Sequence, residues 1–89
     1  MTELSELTPQ KVWAARLLIG WSRDRLAARS GTTMTFVWTY ENEGRVMKMY
    51  SREQSLDGLA AIRDALEAAG VEFIVENGGG AGVRMKAKN

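Results

Sequence analysis

Apolar and polar positions in this chain repeat with two different periods. From Thr8 onward, Val12, Ala15 or Arg16, and Ile19 mark one stripe at helical spacing, with Trp13 and Leu17 beside it. Thr8 reads as the cap of this helix, and Pro9 as its first residue, where a missing N–H costs nothing. Gly20 ends it, Trp21 is expected to pack into the core at the corner, and Ser22 caps a second helix. In the second helix Leu26 and Ala27 must face inward, because Arg23, Asp24, Arg25 and Arg29 cannot; Gly31 is its stop. A third helix is expected from near Thr33 to about Asn42, rich in Met34, Phe36, Val37, Trp38 and Tyr40. If Val37 plugs it onto the core, Tyr40 lies inward with Glu41 a further candidate, and Met34, Thr35, Trp38 and Thr39 face outward or sideways. Glu43-Gly44 stops it.

The second half is shorter on signals. Val46, Met47, Met49 and Tyr50, between Arg45 and Gln54, fit either a short strand or an ordered loop. Ser55 reads as the cap of a fourth helix, with Asp57 favourable in its first turn, and Leu56, Leu59, Ile62, Ala65 or Leu66, and Ala69 recur at helical spacing up to Gly70. The period then changes to two: Val71, Phe73 and Val75 alternate with Glu72 and Glu76, with Ile74 breaking a strict pattern. After the glycine-rich turn Asn77 to Gly82, Val83-Arg84-Met85-Lys86 alternates again, which reads as a β-hairpin. The organisation is therefore a flexible leader at 1–7, a helical unit at 8–70 and a hairpin at 71–89.

Composition narrows the chemistry. A chain of 89 residues suits one small, marginally stable domain, for which burying surface in a dimer would help; the hairpin is the candidate dimerisation element. There is no cysteine and no histidine, which removes disulfides, thiolate zinc sites and the commonest general base and metal ligand. No metal, no cofactor and no enzymatic activity are expected. The glycine run Gly78 to Gly82 lacks the Lys-Ser/Thr and the following helix of a phosphate loop. Apolar runs are too short to cross a membrane and the start does not read as a signal peptide, so no membrane partner and a cytoplasmic location are expected. The net charge of +1 means that any nucleic-acid footprint must come from local clustering.

The spacing of Ala27, Gly31 and Val37 is the skeleton of a helix-turn-helix: a small residue where two helices cross, a glycine for the tight turn, and a branched residue seating the second helix. Thr8 to Glu41, through "LTPQKVWAARLLIGWSRDRLAARSG" and "TTMTFVWTYENEG", resembles the Xre/Cro-type, lambda-repressor-like helix-turn-helix family. The tail "LAAIRDALEAAGVEFIVENGGGAGVRMK" resembles that of a small bacterial subgroup. The resemblance implies a mostly α fold: a four-helix lambda-repressor-like domain with a short C-terminal β-hairpin. It implies a DNA-binding transcriptional regulator, repressor-like and often a homodimer, without catalysis. It places Leu17, Leu18, Leu26, Ala27, Val37, Leu59 and Ile62 in the core. It also places Thr33, Met34, Thr35 and Thr39 on the base-reading side of the third helix, with Asn42 near the DNA backbone. Arg23 stands where the family usually has a glutamine, and remains a good phosphate ligand.

Phosphate contacts are expected from Arg23, Arg29, Asn42, Arg45 and Lys48. The base-reading side departs from its relatives, which usually carry Arg, Gln, Ser or Asn there, so its contacts are limited to threonine hydroxyls and apolar contact with thymine methyls. Phe36 and Trp38 bracket Val37 at about 100° steps, so at least one is expected to be partly exposed, or covered by Val46 to Tyr50. That supports a second reading, a protein-binding antirepressor or antiactivator module with an apolar docking face of Met34, Phe36 and Trp38.

Overall fold

Each α-helix among the described residues starts on a side-chain cap. In the computed structural model, which describes residues 3–74 and 82–87, Thr8 accepts from the Lys11 N–H at 3.2 Å and opens α1, Pro9–Ile19. Ser22 accepts from the Arg25 N–H at 3.1 Å and opens α2, Arg23–Ser30. Thr33 accepts from the Phe36 N–H at 3.1 Å and opens α3, Met34–Glu43. Each side chain satisfies one donor that the first helical turn leaves unpaired. Gly31 takes φ +69°, a left-handed conformation that side chains with a Cβ resist, so α2 can stop there and α3 start three residues later.

The fourth helix begins earlier than its apolar period suggests. α4 is Arg52–Ala68, and its cap is Ser51, not Ser55. Ser51 Oγ accepts from the Gln54 N–H at 3.0 Å, while Gln54 Oε1 accepts from the Ser51 N–H at 2.9 Å. This reciprocal pair satisfies two donors at once, which a cap at Ser55 would not. Ser55 sits inside the first turn and donates to the Ser51 carbonyl. Residues 44–50 form bends and a turn closed by the Tyr50 N–H on the Met47 carbonyl, not a strand.

β1, Val71–Phe73, and β2, Val83–Met85, pair antiparallel, with Val71 opposite Met85, Glu72 opposite Arg84 and Phe73 opposite Val83. The hairpin rests on α1 and α4. Val75, Glu76 and most of the glycine-rich turn expected at 77–82 lie outside the described residues. At the other end of the chain, the segment expected as a loose leader forms a 3-10 turn at Leu4–Glu6 and inserts Leu7 into the core, where its carbonyl accepts from the Tyr40 hydroxyl at 3.2 Å.

The core gathers Leu7, Val12, Ala15, Leu26, Ala27, Phe36, Val37, Tyr40, Ile62, Leu66, Val71 and Phe73. Leu26, Ala27, Val37 and Ile62 thus sit where expected, with Leu59 partly buried against them. Leu17 and Leu18 do not: both are exposed. The buried side of α1 runs through Val12, Ala15, Arg16 and the half-buried Ile19, and residues five and six beyond Val12 have turned away from it. Among the described residues no helix is long and apolar enough to cross a membrane.

Candidate nucleic-acid interface

The solvent side of α3 is a single arc. With about 100° per residue, Met34, Trp38, Asn42 and Thr35 fall in that order within about 100° of the helix circumference, and all four are exposed. The arc is bounded on one side by Glu41 and on the other by Thr39, whose side chains turn inward. Asn42 is held in place by its own helix, its Nδ2 donating to the Trp38 carbonyl at 3.0 Å. Thr33, the cap, stands exposed at the start of the arc.

Two expected site residues are not on this surface. Thr39, assigned to base contact, is only 5% exposed. It follows Phe36 by three residues, so it lies about 60° from Phe36 on the side that the phenylalanine buries. Phe36, assigned to a docking face, is core. Its ring meets Tyr50 edge-on, with centroids 5.4 Å apart and planes at 78°, so it is the loop at 46–50 that covers it. Gly58 of α4 lies under the same ring: a Cβ built there would stand 2.5 Å from Phe36 Cζ. Trp38 is left 44% exposed.

The expected phosphate ligands are differently placed. Arg23, at the first residue of α2, donates from Nε to Glu41 Oε1 at 3.2 Å, which sets it at the edge of the α3 arc. Arg16 holds the same carboxylate in a fork, Nε to Oε2 at 2.7 Å and Nη2 to Oε1 at 2.8 Å, and its Nη1 donates to the Trp21 carbonyl at 2.9 Å. The Glu41 side chain is 2% exposed and that of Arg16 7%, so this is a buried ion pair with a half-buried second arginine on its rim. Arg29 is exposed at the far end of α2, about 9 Å along the axis from Arg23, with its guanidinium 5.8 Å from the centre of the Trp21 ring. Arg45 is exposed and paired with Glu43, and Lys48 is exposed on the loop after α3. Arg23 is therefore brought beside the arc to which Asn42 belongs, whereas Arg29 stands apart from Arg23.

The Arg16–Glu41 pair escapes a reading by apolar period, because an arginine on the buried stripe of a helix looks like an interruption. The usable signal is joint: a charge on the inner side of one helix requires an opposite charge on the inner side of another. Glu41, on the inward side of the third helix, is the partner that requirement selects. Comparison with known proteins gives no matching family model and no matching curated relative.

Proposed function

We propose that this chain is a DNA-binding transcriptional regulator of the lambda-repressor-like helix-turn-helix type, with α2, the turn at Gly31 and α3 as the docking unit. The observation that carries the reading is the way α3 is mounted. Its inner side is seated by Val37 and Tyr40 and tied to α1 and α2 through Glu41, while an uninterrupted outer arc of Met34, Trp38, Asn42 and Thr35 protrudes. A helix fixed on one side and bare on the other can enter a major groove. Thr33, Thr35 and Met34 supply the base contacts, hydroxyls to base edges and the thioether to thymine methyls. Arg23, Asn42 and Lys48 face the strand's phosphates, with Arg29 and Arg45 adding charge near the groove. A homodimer reading a two-fold related operator completes the proposal.

Trp38 and Met34 favour a second reading, an antirepressor or antiactivator docking protein through this arc, now without Phe36. Titration against random-sequence duplex and against the DNA upstream of the protein's own coding sequence, at two salt concentrations, separates the two. DNA binding is expected to weaken steeply with salt, through release of counterions from phosphates. No binding to any duplex at low salt would leave the docking reading alone.

A further inference from the structure

The sequence pattern puts Trp13 next to the apolar stripe of its helix, yet the structure leaves it 50% exposed. It is not stranded on a featureless surface. It forms one wall of a hollow of about 240 Å3 where the first turns of α1, the first residue of α2 and the last turn of α3 meet, lined by Pro9, Gln10, Trp13, Arg23, Glu41 and Asn42. Asn42 belongs to the exposed arc of α3, so the hollow borders that arc.

The charge of this hollow favours an anion. Glu41 is shared by two guanidiniums, and Arg16 already occupies both its oxygens. One positive charge is left over, and it resides on Arg23, whose side chain is 34% exposed. Among the described residues the Nη groups of Arg23 have no acceptor, since only its Nε bonds Glu41. Gln10 and Asn42 put two carboxamides on the rim, and Trp13 and Pro9 supply an apolar wall. An anionic group joined to a ring that presents a C–H face fits that combination: donors for the one, an indole face for the other.

We infer that the hollow receives the sugar–phosphate backbone of a DNA strand flanking the groove that α3 enters, with the phosphate on Arg23 and Gln10 and the deoxyribose against Trp13. The inference rests on the DNA-binding reading above and adds to it Trp13 and Gln10, two contacts on α1. Trp13 carries no charge, so its contribution is packing, and it is separable from that of Arg23 by salt.

The test uses the full chain and a short random-sequence duplex. Trp13→Ala is expected to weaken binding about fivefold at low salt while leaving the slope of log affinity against log salt unchanged. Arg23→Ala is expected to reduce that slope by about 1. In a variant with Trp21→Phe and Trp38→Phe, Trp13 is the sole indole, and saturating duplex is expected to shield it from acrylamide quenching. Far-UV circular dichroism checks that each variant is folded, and the affinity and quenching measurements use different variants, so loss of one to misfolding leaves the other. Duplex binding with Trp13 still open to acrylamide, or Trp13→Ala binding like the parent, overturns this inference and leaves the DNA reading standing. Absence of duplex binding at low salt overturns both.

Discussion

The two sides of α3 answer to different demands. On the inner side Phe36, Val37, Thr39 and Tyr40 are buried, and Glu41 is locked between two arginines. Three of them have a neighbour that fixes the residue type: Tyr50 and Gly58 for Phe36, the Leu7 carbonyl for Tyr40, Arg16 for Glu41. On the outer side Met34, Thr35 and Trp38 are exposed. A half-exposed tryptophan on the protruding side of a helix points to what that helix touches outside the molecule. Substitutions on the inner side should therefore act on stability, and those on the outer side on binding.

The largest inner effect is expected at Glu41. Glu41→Ala leaves the Arg16 guanidinium buried without its counter-charge, and loss of one partner of a buried pair costs about 3–5 kcal/mol. For a domain this small that is a large part of the total stability. Urea melts of Glu41→Ala should show the loss, and the double change Arg16→Met with Glu41→Leu should recover most of it, because the apolar pair carries no desolvation cost. A single variant as stable as the parent would mean that the pair does not anchor α3.

Tyr40 ties the inner side to the start of the chain and gives it a pH dependence. Burial pushes its phenol up to about 12 from 10.0, because the phenolate would lose its hydration. Between these values the unfolded chain releases the proton and the folded chain keeps it, so stability falls as pH rises. The contribution is whole below pH 10, and on the order of 2–3 kcal/mol is lost by pH 12. Lysines also titrate in this range, so the measurement is the difference between the parent and Tyr40→Phe. The parent should lose more stability than the variant over that interval, and parallel curves would count against burial of the phenol.

Gly58 reports on the packing under Phe36. A glycine inside a helix normally costs about 0.5–1 kcal/mol against alanine. Here the added methyl would meet the Phe36 ring at 2.5 Å, and overpacking costs about 1–3 kcal/mol. Gly58→Ala is thus expected to destabilise by about 1 kcal/mol net, as thermal or urea melts would register. In a Phe36→Leu background the same change should turn stabilising, and no change of sign would mean that the ring and Gly58 are not coupled.

Much of the scaffold was legible because it depends on neighbours in sequence. Thr8, Ser22 and Gly31 mark helix ends by short-range chemistry, and Leu26, Ala27 and Val37 follow from period alone. The Ser51–Gln54 capping box was equally local, but the stronger apolar repeat after Ser55 masked it. What failed depends on contacts between distant residues. Leu17 and Leu18 are as apolar as core residues, and only the direction from which α3, α4 and the hairpin pack on α1 leaves them outside. The roles of Phe36 and Trp38 could not be separated by spacing, since the decision rests with Tyr50 and Gly58, one in a loop with no periodic signal and one a residue without a side chain. The same long-range packing turned Thr39 inward.

The smallest expected effects discriminate most finely, because they compare two threonines one helical turn apart. Thr35 lies in the exposed arc and Thr39 at its buried margin. Thr35→Ala is expected to change stability by less than about 0.5 kcal/mol, as surface substitutions do. On the DNA reading it also loses about 1 kcal/mol at the preferred site and little on random duplex, because a hydroxyl reading a base edge carries sequence information and no charge. Thr39→Val keeps the shape of the side chain, so it should leave both affinities as they are. If Thr39→Val weakens the preferred site while Thr35→Ala does not, the contacting side of α3 is not the arc placed here, and the assignment of the outer side falls. If neither threonine matters and Trp38→Ala abolishes binding to a protein partner, the indole is the anchor of a docking surface. The arc would then be real and its occupant a protein.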